Sequence, residues 1–102
     1  MSHTIILIQY TNQYNSRGYL DFPSVGDAMD GLVKMYELKL KELNPSKSNI
    51  TYDIQHLYDF LDTLTDLVAL VFDKNSGKYE PKDKEWIKEK IMAHLRRQAG
   101  AA

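Results

Sequence analysis

Near the start of the chain, Ile5, Ile6, Leu7 and Ile8 stand in an unbroken apolar row. Three of the four are β-branched, which favours a pleated strand over His3–Tyr10. Alternation puts Ile5 and Leu7 on one side of that strand, and Ile6, Ile8 and Tyr10 on the other. Leu64–Phe72 repeats the property: Leu67, Ala69 and Val71 face one way, and Val68, Leu70 and Phe72 the other. Strands apolar on both sides need both sides covered. Between them the period changes. Val25, Met29, Leu32, Tyr36, Leu40 and Leu43 recur at spacings of 4, 3, 4, 4 and 3. This is a helical stripe, opened by Ser24 as N-cap and ended at Asn44-Pro45. Gly31 inside the stripe weakens the helix unless something packs closely against it. Ile54, Leu57, Tyr58 and Leu61 predict a second helix capped by Asp53. Ile87, Ile91 and Leu95, with Trp86 beside them, predict a third capped by Asp83.

Weaker signals fill the gaps. Thr11–Gly18 is polar and turn-rich and reads as an exposed loop, and Tyr19–Phe22 as a short returning strand. Ser46–Asn49 is a polar connection. Asn75-Ser76-Gly77 reads as a hairpin turn with Gly at a positive φ. Lys78–Glu80 is the return strand, which Pro81 should stop. Gln98–Ala102 should fray. The order β-β-α-α-β-β-α fits an α+β fold, with a four-stranded antiparallel sheet and three amphipathic helices on one face, better than parallel βαβ units.

At 102 residues the chain is a single domain, 1–102, of modest stability. With 43% hydrophobic and 26% charged residues it is globular in composition. A net charge of −1 argues against a polyanion binder by bulk charge. There is no cysteine, and hence no disulfide or thiolate chemistry. No signal peptide or membrane span is visible, so an intracellular protein without membrane association is expected, with the Asn49-Ile50-Thr51 sequon silent.

Candidate chemistry is thin. His3, His56 and His94 are scattered. His56 with Asp53 and Asp59 recurs at helical-turn spacing but lacks a fourth ligand, so these read as exposed polar residues rather than a metal site. No nucleophile–base motif or phosphate loop is present. We therefore expect no catalytic residue, no metal and no cofactor. From Asp53 to Asp73 there are five acids and no Lys or Arg. This reads as a solvated face, with docking of a basic segment as the sharper alternative. From Lys82 to Arg97 there are six basic and three acidic residues, too small an excess for a dedicated phosphate binder. Direct nucleic-acid binding is not expected. Met35, Leu38 and Phe60 lie off the helix stripes and are candidates for docking a peptide segment or, equally, for a second layer of core. Ser24-Val-Gly-Asp27 matches an acidophilic kinase pattern, although N-capping already accounts for both residues.

Several blocks together resemble the enhancer of rudimentary homolog family: Ser2-His3-Thr4-Ile5, Lys34-Met35-Tyr36-Glu37, Ile50-Thr51-Tyr52-Asp53-Ile54, Trp86-Ile87-Lys88-Glu89-Lys90-Ile91 and Leu95-Arg96-Arg97-Gln98-Ala99. The resemblance runs from Ser2 to about Ala99. It implies a small nuclear protein, with the cytoplasm as a second compartment, and no catalytic activity. It also implies a homodimer formed through the sheets, with the helices outside. The function implied is an adaptor for short segments of partners in transcription, splicing, RNA elimination and small-RNA processing. The alternative is a small metabolic enzyme or regulator linked to pyrimidine or pterin metabolism. Alternation alone leaves open which sheet face the helices take. With the resemblance, Ile5, Leu7, Val68, Leu70, Phe72 and Tyr79 are the expected dimer contacts. Vertebrate-like members carry a threonine in an acidophilic kinase site where this chain has Gly18; that site cannot exist here, whereas the Ser24 site can.

Overall fold

The computed structural model describes residues 2–46 and 52–101. The Asn49-Ile50-Thr51 triplet and most of the polar connection before it lie outside the described residues. The elements run β1 (Thr4–Gln9), β2 (Arg17–Phe22), α1 (Val25–Leu43), α2 (Ile54–Thr63), β3 (Asp66–Asp73), β4 (Lys78–Lys82) and α3 (Lys84–Ala101). The four strands form one antiparallel sheet in the order β2-β1-β3-β4.

Register decides which side chains share a face. Ile6 pairs with Leu20 and Ala69, and Ile8 with Leu67. Ile6, Ile8, Leu67 and Ala69 are all buried. They meet Ala28, Met29, Leu32, Val33 and Tyr36 of α1, Leu57 and Leu61 of α2, and Ile87 and Ile91 of α3 in one core. The helices therefore cover the Ile6 side. Salt bridges tie helix to helix. Lys88 of α3 reaches Asp62 of α2 at 2.9 Å, and the paired carboxylate raises the Lys88 ammonium above the usual lysine range. Lys84 joins the same carboxylate at 3.9 Å. Asp30 of α1 bonds Lys34 at 2.8 Å, which lowers its carboxyl from the ordinary range, and meets His94 of α3 at 3.5 Å.

The caps fall where the sequence places them. The Ser24 hydroxyl accepts from the Asp27 N–H at 3.1 Å, the Asp53 carboxylate from the His56 N–H at 3.2 Å, and the Asp83 carboxylate from the Trp86 N–H at 2.9 Å. Gly77 takes φ +69° in the β3–β4 turn, where a side chain would be strained. Gly31 allows a close approach: a Cβ there would come to 2.6 Å from Cε1 and Cζ of Phe22 on β2. Gly31→Val is expected to destabilise the chain by about 1–3 kcal/mol, because overpacking outweighs the gain from removing a helical glycine. A thermal melt of the variant at or above wild type would contradict this.

Five expectations change. Strand β4 runs through Pro81 to Lys82 instead of stopping. It is an edge strand, and a proline there need not donate to a further neighbour. Strand β2 begins at Arg17, before Tyr19, because a single 3-10 turn over Tyr14–Ser16 shortens the loop. Helix α3 continues through Gln98 to Ala101. Leu43, last in the α1 stripe, is 67% exposed, while Ala28 and Val33 beside the stripe are buried. Leu43 keeps the direction of the stripe but is the last residue of this 19-residue helix, one turn past Leu40, the last of the stripe to pack against the core. Tyr10, grouped with Ile6 and Ile8 by alternation, lies one residue past β1 and is 46% exposed.

Candidate functional site

Two surfaces outside the core concentrate the residues singled out above. The first is the sheet face opposite the helices. Its side chains fall in rows across the strands. Tyr19, Leu7 and Val68 form one row; Asp21, Ile5, Leu70 and Pro81 form the next; His3, Phe72 and Tyr79 form a third at the end of the sheet. At the opposite end Arg17, Gln9 and Asp66 align, with the Arg17 guanidinium donating to the Gln9 amide oxygen at 3.0 Å. The centre is thus apolar between two polar ends. Ile5, Val68, Leu70 and Phe72 are half-buried, and Leu7 and Tyr79 are exposed at 39% and 42%. The Phe72 and Tyr79 rings pack edge-on with centroids 5.2 Å apart. All six residues expected at a dimer contact lie on this one face.

The second surface is a groove of about 320 Å³ lined by Tyr10, Met35, Leu38, Lys39, Glu42 and Phe60. It brings together all three peptide-docking candidates, from α1 and α2. Leu38 is 61% exposed. Met35 and Phe60 are partly buried against the core, so each serves both the core and the groove. The Tyr10 hydroxyl lies 3.8 Å from the Met35 sulfur. Behind Phe60 an aromatic chain stiffens the wall. Phe60 is 5.1 Å from Tyr36, and Tyr36 is 5.0 Å from Tyr52, centroid to centroid. The Tyr52 phenol donates to Glu37 at 3.0 Å. Burial, and then that carboxylate, push its pKa up to about 12, so it remains a donor through the physiological range. Tyr10, Lys39 and Glu42 were missed from sequence, although Met35, Lys39 and Glu42 follow one line of α1 at spacings of 4 and 3.

The remaining candidates are dispersed. Ser24 caps α1, and its hydroxyl also donates to the Asp27 carboxylate at 3.0 Å. A phosphate on that oxygen would place its charge at the helix start but beside a second anion. His56 lies 3.8 Å from Asp53, and Asp59 accepts from Gln55 at 2.9 Å. Among the described residues no three His, Cys, Asp or Glu side chains are grouped to hold a metal. The acidic run from Asp53 to Asp73 is divided among tasks: Asp53 caps α2, Asp62 receives the α3 lysines, and Asp73 accepts from the Asn75 N–H. Lys82 of β4 and Lys90 of α3 stand over the Trp86 ring at 5.8 and 5.4 Å. Among the described residues no helix is long and apolar enough to cross a membrane.

Comparison with known proteins matches residues 1–101 to the family model described as "Enhancer of rudimentary". A protein of Arabidopsis thaliana named enhancer of rudimentary homolog is 52% identical over 95 residues, covering 93% of this chain and 87% of that protein. Its namesake in Dictyostelium discoideum is 48% identical over 99 residues, covering 97% and 99%. The Schizosaccharomyces pombe protein named enhancer of rudimentary homolog 1 is 29% identical over 94 residues, covering 92% and 86%. None of these names denotes an enzyme.

Proposed function

Because the chain belongs to the enhancer of rudimentary family, we propose that it is a non-catalytic homodimeric adaptor whose copies meet through the outer sheet face and whose α1–α2 groove takes a short segment of a partner protein. The observation that carries this reading is the outer face itself. Ile5, Leu7, Val68, Leu70, Phe72 and Tyr79 form a continuous apolar patch flanked by polar ends. Patches of this kind on soluble proteins mark interaction sites. A second copy suits this one because the face holds Arg17 at one end and Asp21 and Asp66 among its polar residues, so it can oppose itself across a two-fold axis without a single-sign field.

The groove supports the adaptor half of the reading. It is apolar along Met35, Leu38 and Phe60, with one positive and one negative side chain, Lys39 and Glu42, at its rim. This suits an amphipathic segment anchored by one or two apolar side chains. The family relationship supports partners in nuclear gene expression and RNA processing, including transcription, splicing, RNA elimination and small-RNA processing, with the protein acting in the nucleus.

Two measurements test the proposal. Sedimentation at micromolar concentration should give a species of twice the 11.8 kDa chain mass. A photo-crosslinking residue at position 38, used in nuclear extract, should capture a linear segment that Met35→Glu no longer retains while the dimer is unchanged. Capture of equal efficiency by Met35→Glu would remove the groove from the reading.

A further inference from the structure

Three polar side chains close the His3 end of the outer sheet face, and none of the roles above uses them together. The imidazole of His3 bridges two edge strands. Its Nε2 meets the Asp21 carboxylate of β2, and its Nδ1 meets the Tyr79 hydroxyl of β4. The ring stands edge-on to Tyr79, centroids 5.7 Å apart at 78°, and Tyr79 rests on Phe72 of β3. The His3 carbonyl accepts the Phe72 N–H at 2.9 Å, which anchors the backbone beneath the ring. In a single copy the His3 side chain is 39% exposed and that of Asp21 60%. The groups that face the imidazole are Asp21 from β2, Tyr79 from β4 and the uncharged Phe72 from β3. Among the described residues no Lys or Arg lies within ion-pair distance of Asp21.

We propose that self-association through the outer face takes up protons at His3, so that the dimer tightens as pH falls from the mildly alkaline to the mildly acidic range. The inference rests on the second-copy reading above. Both states of the ring satisfy the same two contacts. When neutral, Nε2–H donates to Asp21 and Nδ1 accepts from the Tyr79 hydroxyl. When protonated, both nitrogens donate. What differs is the charge that must leave water. With a neutral ring, each copy carries the Asp21 carboxylate into the covered face with no cation of its own chain beside it. With an imidazolium, the His3–Asp21 pair is neutral and fully hydrogen-bonded. The associated state therefore holds more protons than the free chains, and the association constant rises as protons are supplied. Histidine is the side chain whose charge ordinarily changes in this range.

The test is sedimentation equilibrium of the full chain, with dilution into the nanomolar range by fluorescence detection, at about pH 8 and about pH 6. Wild type should show a dimer dissociation constant about tenfold lower at the acidic end, about threefold for each of the two copies. His3→Gln keeps a donor and an acceptor but does not titrate, and should give a constant that does not move with pH. Asp21→Asn removes the charge to be neutralised and should also lose the dependence. A wild-type constant that is equal at both ends or tightens with rising pH overturns proton uptake and leaves the dimer standing. So does a tenfold change that persists in His3→Gln. A wild-type chain that is monomeric at both ends overturns the dimer and this inference together.

Discussion

Ile5→Asp combined with Leu7→Asp is expected to leave a monomer of 11.8 kDa at concentrations where wild type is a dimer. Both side chains sit in the middle of the outer face, Ile5 opposite Leu70 and Leu7 opposite Val68. A two-fold axis doubles them to four buried side chains. At roughly 1.5–3 kcal/mol each, they supply about 6–12 kcal/mol of apolar driving force. Association itself costs on the order of 4–15 kcal/mol, so losing these positions is decisive. The variant also places four carboxylates where the copies would meet, each of which must lose its water for the faces to close. Neither residue touches the helices, so far-ultraviolet circular dichroism should retain the helical signal even as solubility falls. Partners that need both copies should be lost. Light scattering that finds the double variant still dimeric would sink the outer-face reading, as would a monomeric wild type.

The neighbouring residue should behave differently. Ile6 points to the helix side, is fully buried, and packs between Leu20 and Ala69 beneath the helices. Ile6→Ala is expected to cost about 2–5 kcal/mol of unfolding free energy, the transfer term plus the cavity it leaves. For a domain of this size that is a large fraction of total stability. Urea unfolding should show a midpoint shifted well below wild type with an unchanged slope. Ile5→Ala should instead leave the unfolding of the isolated chain nearly unaltered and weaken association. If Ile5→Ala and Ile6→Ala shift the midpoint of a monomeric background equally, the assignment of faces is wrong.

Those adjacent positions show how far the amino-acid pattern reaches. The two-residue period separates Ile5 and Leu7 from Ile6 and Ile8, and Val68 and Leu70 from Leu67 and Ala69. The three- and four-residue spacings mark Met29, Leu32, Leu57, Leu61, Ile87 and Ile91, all of which are buried. The caps Ser24, Asp53 and Asp83 and the turn at Gly77 are legible because their chemistry is local: a side-chain oxygen reaching an amide three residues on, or a backbone angle that suits glycine. The peptide-docking candidates Met35, Leu38 and Phe60 stand out as apolar residues off the stripes, and they do gather in one groove.

What periodicity cannot encode is which side of a two-sided strand receives the helices, because alternation is symmetric between its faces. That choice follows from how α1, α2 and α3 pack back over the sheet. Pro81 could join β4 because the order β2-β1-β3-β4 leaves that strand at an edge, a fact of topology that its neighbours in sequence do not carry. Gly31 needed Phe22 from another element to explain it. His3 and Tyr79 are 76 positions apart, and antiparallel pairing of β1 with β3 and of β3 with β4 brings them to one end of the sheet, where the pairing of β1 with β2 adds Asp21. Local periods set element type and the grouping of side chains into faces, whereas long-range packing chose which face became core and which polar residues met.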